Sequence, residues 1–279
     1  MITVAEQDHI TRHAYLPEHL PGYVTAISQT DAFLFEDFVA YSSAGLLIFV
    51  GYPLSGPCEE KRLEKALDAA IRQLHPERVS LMAPAIPRSV EKGDRPPSDH
   101  YYRMDLSSVS VTPKTRNMLT RAGRDLTIVE SRSFAEEHAA LVEEFLDTRS
   151  MEEATRFIFG RIDRYLAASE TAWIFEARNG RGELVAFDVA EFEPGDYALY
   201  MFNFRSGTRS VPGASDLLLS GVIQQAAASG KKYINLGLGI NPGVAFFKEK
   251  WGGAAFLPHA SCLYHPARKG LLEMLLRSL

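Results

Sequence analysis

Cysteine is scarce: Cys58 and Cys262 are the only two in 279 residues. Two residues so far apart build no disulfide framework, and neither stands at metal-ligand spacing from a second cysteine or a histidine pair. His259 and His265 flank Cys262 without the helix or hairpin setting of a zinc site. Two reduced thiols, no metal and a cytoplasmic location are the expectation. Long apolar runs are missing as well. The longest, Gly45–Leu54, has the length of a strand and falls well short of the ~20 residues that a membrane-spanning helix needs. The N-terminus lacks the basic start and apolar core of a signal peptide. Positive charge is not in excess: 30 Lys and Arg face 35 Asp and Glu, a formal net charge of −5. That balance weighs against a protein held to DNA through its phosphates, while leaving room for a local basic groove. There is no Gly-x-Ser-x-Gly elbow for a Ser-His-Asp hydrolase, no tandem repeat and no low-complexity tract.

What is present is a globular pattern, with 46% hydrophobic and 23% charged residues, enough apolar material for one large or two ordinary domains. Strands are expected around Phe33–Tyr41 and Leu46–Tyr52, the second apolar throughout, as in a strand buried on both faces. Glu59–Leu74 follows with Leu63, Ala66, Leu67, Ala70, Ile71 and Leu74 at helical spacing, then a strand over Glu77–Pro84, giving a βαβ-like unit. The proline-rich Pro84–Ser98 reads as a surface loop. Tyr101–Leu106 and Leu126–Glu130 read as strands around a short basic helix, Pro113–Ala122. A helix capped by Ser133 with Glu136 comes next, and a second over Met151–Ala168. Three strands in a meander follow, Ala172–Arg178, Glu183–Glu191 and Asp196–Phe204, turning at Asn179–Gly182 and Pro194–Gly195. The remainder reads as helix Ser215–Ala228, strand Tyr233–Leu238, short helix Val244–Trp251, a strand or two over Ala255–Tyr264, and a closing basic helix, Pro266–Leu279.

The most informative stretch is Val211–Gly253, VPGASDLLLSGVIQQAAASGKKYINLGLGINPGVAFFKEKWGG. A helix fed by a Pro-Gly-Ala-Ser-Asp turn presents unpaired amides and the positive end of its dipole, which favours an anion and so a phosphate-bearing ligand. The order of elements after Ser133 resembles the GNAT acyltransferase fold. The run Asn235-Leu-Gly-Leu-Gly239, Gly243 and Phe247-Lys-Glu-Lys-Trp-Gly252, together with Arg116–Arg124 (RNMLTRAGR), resembles the FemABX-like branch, in which two GNAT-like domains are fused. The resemblance implies an α/β (α+β) fold with a mixed, mostly antiparallel sheet flanked by helices, two GNAT-like domains in tandem. Residues 1–125 would form the N-terminal half, and 126–279 the C-terminal domain carrying the site. It also implies a sheet that splays between Tyr197–Phe204 and Tyr233–Leu238 with acyl-CoA in the gap as co-substrate, its pyrophosphate on the loop Arg209–Asp216. The chain departs from the common GNAT phosphate signature: in Arg209-Ser-Val-Pro-Gly213-Ala-Ser215 the Arg-to-Gly spacing is one residue longer, and Pro212 removes one N–H donor. Ser215 or Asp216 is the expected cap of the helix.

Within this frame the donor would rest on Arg205, Arg209, Gly213, Ala214, Ser215, Gly237 and Gly239. For the two last, a tight turn without ligand is the competing reading. Lys248 would hold a carboxylate, a phosphate or a developing oxyanion, against the alternative of a solvated lysine. Asn203 at the end of its strand would align the donor carbonyl. Tyr264 would serve as general acid for a thiolate leaving group, against the competing reading of a core tyrosine, and Glu191 as general base if its face points into the cleft. The expected activity is transfer of an acyl or aminoacyl group from a phosphate-bearing donor to a small-molecule amine or peptide acceptor by direct attack. A catalytically inactive GNAT-like ligand-binding or regulatory protein is the alternative. The stripe Lys114, Arg116, Arg121 and Arg124 is the one feature that would suit a tRNA donor, but a solvated helix face explains it equally and no clamping arm is present. Neither DNA nor a membrane span is expected.

Overall fold

A computed structural model describes residues 1–90 and 93–266. The chain opens with helices α1 (Val4–His13) and α2 (Pro21–Ser28). A capping box between Thr3 and Glu6 and a proline at the first position of α2 mark the two starts. Strands β1 (Asp31–Phe35), β2 (Phe38–Ser43) and β3 (Leu46–Val50) follow, then α3 (Glu60–Leu74) and β4 (Arg78–Ala83). Next come β5 (Asp99–Asp105), α4 (Pro113–Asp125), β6 (Leu126–Ser131), α5 (Glu136–Asp147), α6 (Glu153–Phe159) and α7 (Ile162–Ala168). The last group is β7 (Ala172–Asn179), β8 (Leu184–Glu191), β9 (Tyr197–Arg205), α8 (Ala214–Ala228), β10 (Tyr233–Leu238), α9 (Pro242–Lys250) and β11 (Ala254–Tyr264).

Contacts divide the chain into two units that alternate along the sequence. Of the described residues, one holds Asp31–Ser98 and residues 259–266; the other holds Ile2–Thr30 and Asp99–Pro258. The position between residues 125 and 126 therefore falls inside the second unit, between α4 and β6. In the first unit the strands lie in the order β1-β2-β3-β4-β11, with β3 and β4 parallel across α3, as the βαβ pattern predicts. The α3 stripe Leu63, Ala66, Leu67 and Ala70 is buried with Phe38, Phe49 and Leu81. In the second unit the order is β5-β10-β9-β8-β7-β6, antiparallel except between β10 and β9. The central strand β8 is buried over its whole length, because helices cover both faces of the sheet. On one face α8 packs with Phe175, Ala186, Ala190, Ala198 and Ile234. On the other, α2, α5 and α7 pack with Ile174, Phe187, Val189, Phe202 and Phe204.

Four local expectations change. Phe33–Tyr41 is a hairpin rather than one strand: Glu36, at φ 55°, turns β1 into β2. The cap before α5 is at Ala135, whose N–H is taken by Nδ1 of the buried His138 at 2.9 Å, so Ser133 is not the cap. Met151–Ala168 breaks at Gly160 and Arg161 into α6 and α7. The cap of α8 is Gly213, not Ser215 or Asp216, whose side chains are engaged elsewhere. The helix expected over Pro266–Leu279 lies, from residue 267, outside the described residues. Among the described residues no helix is long and apolar enough to cross a membrane.

Phe204 is fully buried and its ring stands 5.1 Å from each of Phe145, Phe159 and Phe187. Phe204→Ala is expected to lower the unfolding free energy by about 3–5 kcal/mol, measured by urea denaturation.

Candidate active site

The site is built where two strands part. β9 and β10 pair over only three positions, Tyr197–Leu199 against Tyr233–Asn235. Just beyond, each strand carries an extra residue relative to its other neighbour. Met201 is inserted in β9 opposite Val189 and Ala190 of β8, and Leu236 in β10 opposite Tyr102 and Arg103 of β5. A bulge bends its strand and increases the local twist. Two bulges at the same level of adjacent strands open the sheet there, as the resemblance implied.

The bulge at Met201 also sets which side chains share a face. In a regular strand Tyr200 and Asn203, three apart, would point to opposite sides. With Met201 and Phe202 both turned toward the α5 and α7 side, Tyr200 and Asn203 emerge together on the α8 side. Asp188 stands opposite Asn203 in register. The Asn203 amide donates to Asp188 Oδ1, and Ser215 Oγ at the start of α8 donates to Asn203 Oδ1 at 3.3 Å. Asp188 is 0% exposed, and burial pushes its carboxyl up to about 8 against the pull of Asn203 and Tyr200. Tyr200 is 9% exposed; burial, then the neighbouring Asp188 charge, raises its phenol. The two groups are adjacent and interact, but neither Asp188 Oδ2 nor the Tyr200 hydroxyl, both buried, completes a hydrogen bond of normal geometry. Each such atom costs roughly 1–3 kcal/mol.

No side chain caps α8, and Gly213 enters it at φ 84°. A Cβ on Gly213 would stand 3.2 Å from Met118 and from Ala122 of α4, so this glycine is held both by its backbone conformation and by the helix packed on it. Ala214 is buried behind it. Asp216 accepts the Trp251 indole N–H at 2.7 Å and the Lys250 ammonium at 2.5 Å, which ties the start of α8 to the end of α9. On α4, Lys114, Arg116, Arg121 and Arg124 are exposed and, among the described residues, form no ion pair. The turn after β9 is already occupied by a carboxylate. Glu144 of α5 accepts from Gly207 N at 2.7 Å, Thr208 N at 3.2 Å and Ser206 Oγ at 3.0 Å. Burial works against its charge, but these bonds and Arg209 prevail and hold the carboxyl below its usual range. Arg209, 3.9 Å from Glu144, and Arg205 are exposed beside this turn.

Lys248 is not a solvated lysine. It is 4% exposed, donates to the Leu238 carbonyl, and lies over the Tyr102 ring at 5.7 Å. Burial lowers its ammonium to about 8, partly offset by the charge of Asp99. No ion pair holds it among the described residues. At Gly237, φ 76°, a Cβ would stand 3.7 Å from Lys248 Nζ and 3.9 Å from the Tyr200 carbonyl. The ammonium and the first residue of the splayed part of β9 thus meet over a backbone without a side chain. Gly239 has a different role: a Cβ there would come within 2.7 Å of Asp99 Oδ1, a carboxylate that also accepts from Ile240 N at 2.7 Å. It is a tight-turn glycine.

Two expected residues lie elsewhere. Glu191 faces the α7 side, where its carboxylate accepts from Tyr165 (2.7 Å), Ser169 (2.8 Å), Phe192 N (2.8 Å) and Glu193 N (3.0 Å). A carboxylate with this many donors joins a helix to a strand end and has no lone pair to spare for a substrate proton. Tyr264 packs against the core of the first unit, with its phenol pushed up to about 12 mainly by burial. Conversely, Tyr200 was not singled out from the sequence, and Asp188 was only noted as a strand residue; a charged residue inside the run Leu184–Ala190 was the available signal. A cleft of about 460 Å³ lined by Asp105, Ser107, Ala227, Lys231, Lys232 and Tyr233 lies at the opposite end of β10, away from these groups. Among the described residues no group of three or more His, Cys, Asp and Glu could hold a metal ion.

A mixed sheet that splays between its parallel strands, with an uncapped helix start beside the gap, defines a GNAT-like fold. It is shared with FemX (TM-score 0.66, 11% identity, 100% of this chain and 98% of that one). L-PGS from Bacillus licheniformis (0.60, 14%, 98% and 95%) and the tandem GNAT protein from the clavulanic acid biosynthesis pathway (0.53, 10%, 83% and 79%) are also similar. No protein-family model matches the chain, and no curated protein matches it in sequence.

Lys248 makes its own test possible. Its folded value near 8 lies below its ordinary 10.5, so between those pH values the unfolded chain binds more protons and stability rises with pH. The displacement corresponds to roughly 3 kcal/mol, less about 1 kcal/mol for the bond to Leu238. Lys248→Met is therefore expected to be more stable than wild type at pH 7. Its advantage shrinks from pH 8 to pH 10, as read by denaturant titration across that range.

Proposed function

We propose that the chain is an acyltransferase that moves an acyl or aminoacyl group from a phosphate-bearing donor to an amine by direct attack. The observation that carries this reading is the buried, unpaired Lys248 ammonium beside Gly237 at the parting of β9 and β10. Fixed positive charge in a dry site is worth most where negative charge develops during reaction. A donor carbonyl placed in the gap would have its developing oxyanion beside Lys248 and the backbone of β9. Asn203, anchored by Ser215 and Asp188, would fix the edge of β9 against which the carbonyl lies. The donor phosphates would rest at the start of α8, which no side chain caps, with Gly213 and Ser215 presenting backbone N–H groups beside Ala214, whose own N–H is given to the Val211 carbonyl, and the exposed α4 cations nearby. The fold neighbours are acyl and aminoacyl transferases, which supports the reaction class. Acyl-CoA is the first donor to try; an aminoacyl-tRNA would use the same anion site together with the α4 stripe.

One observation favours the inactive reading: Glu144 already fills the amides of the Ser206–Thr208 turn, so that turn is closed to a phosphate. The two readings separate in a single assay. Purified protein is offered a panel of acyl-CoAs and amines with free-thiol detection, and charged tRNA with a labelled aminoacyl group. Transfer is expected with one donor class, and Lys248→Met should lower kcat about 100- to 1,000-fold while the melting temperature holds or rises. A donor that stabilises the fold with no transfer under any condition would establish the inactive reading. If tRNA is the donor, reversing Arg116 and Arg121 to Glu should weaken its binding and flatten the salt dependence. Unchanged binding assigns the stripe to solvent.

A further inference from the structure

We propose that Tyr200 and Asp188 form the proton relay of the transfer reaction, with Tyr200 the catalytic residue that meets the amine and Asp188 the residue behind it. This rests on the acyl-transfer reading. Tyr200 occupies the first position of β9 past its last pairing with β10, and its carbonyl lies beside Gly237 and so beside Lys248. Its hydroxyl is buried and unbonded, and so is Asp188 Oδ2 next to it. Both are fixed rather than adrift: Asp188 Oδ1 is held by Asn203, and Asn203 by Ser215. The contrast with Glu191 is instructive. There a buried carboxylate is saturated with donors; here a buried carboxyl keeps one oxygen open toward the Tyr200 phenol.

The surroundings suit a proton that comes and goes. On β9 the neighbours of Asp188 are Tyr200 and Asn203. From α8 come Ser215 and Asp216, the latter neutralised by Lys250 and by the Trp251 indole. β7 places Phe175 opposite. No cation pairs with Asp188 among the described residues, so burial sets its value, near the pH at which an amine nucleophile and its carboxyl partner exchange protons readily.

The steps balance. The amine lone pair attacks the donor carbonyl carbon, forming the C–N bond. An N–H proton passes to the Tyr200 oxygen as the Tyr200 hydroxyl proton passes to Asp188 Oδ2. When the tetrahedral intermediate collapses, the bond to the donor sulfur or oxygen breaks. The proton returns through the same pair to the leaving group, regenerating both residues.

The test compares wild type with Asp188→Asn and Tyr200→Phe, both near-isosteric, in steady-state transfer from pH 5.5 to 9.5. In wild type, kcat rises as Asp188 loses its proton and falls as the Lys248 ammonium loses one, both with midpoints near 8, so the profile is a narrow bell centred there. Each variant should lose about 100-fold in kcat with the donor KM unchanged within threefold, and Asp188→Asn should lose the rising limb while keeping the falling one. The double variant should be no slower than either single one, because the two act as one unit. Wild-type rates and an intact rising limb in both variants overturn the relay and leave acyl transfer standing. Absence of transfer by wild type to any acceptor overturns both. Should Asp188→Asn fail to fold, Tyr200→Phe, which removes only an unbonded hydroxyl, decides the matter alone.

Discussion

One extra residue in one strand sets the layout of the candidate site. Because Met201 is inserted in β9, that strand turns away from β10 after three pairs, and its side-chain alternation is shifted by one from there on. In a strand regular through Met201, Tyr200 and Asn203 would point to opposite faces. With the insertion, Asp188, Tyr200, Asn203 and the first turn of α8 share one face at the mouth of the gap.

Among the buried and half-buried charged groups of the second unit two kinds stand apart. Glu191, Glu144 and Asp216 are each met by several donors or by cations, and each joins one element to another: strand end to α7, α5 to the turn after β9, α8 to α9. Lys248 and Asp188 are met incompletely. The former has no ion-pair partner among the described residues, only the influence of the Asp99 charge, and the latter has an oxygen with nothing to accept. Groups of the first kind return in tertiary connection what their desolvation costs. Groups of the second kind return less to the folded chain than their burial costs, which is the physical ground for proposing that they meet substrate.

The order of elements after Ser133 was legible because each rests on local chemistry: helical spacing, turn residues, a parallel strand following a helix. Lys248 was legible through its motif, and its burial then gave the motif a physical meaning. What could not be read was whatever depends on register. The bulge at Met201 leaves no mark in Tyr-Ala-Leu-Tyr-Met-Phe-Asn-Phe-Arg, so parity along β9, and with it Tyr200, stayed hidden. Glu191 and Asp188 are both carboxylates of one strand, three residues apart, and only the helices on either face tell them apart. The caps at Ser133 and Ser215 misled for a related reason. A hydroxyl in the right place along the chain is a cap only when no better partner competes, and His138 and Asn203 do.

The alternation of the two units along the chain has a consequence for assembly on the ribosome. The second unit needs nothing beyond Pro258, whereas the sheet of the first, begun at Asp31, lacks its last strand until Ala260–Tyr264 reaches β4. The stretch Asp99–Pro258 must emerge before that edge is covered, and until then β4 offers an open row of backbone donors and acceptors. The earliest strands to be made are therefore the last to be sealed, and the exposed edge of β4 is where a nascent chain of this protein is most open to pairing with the wrong strand.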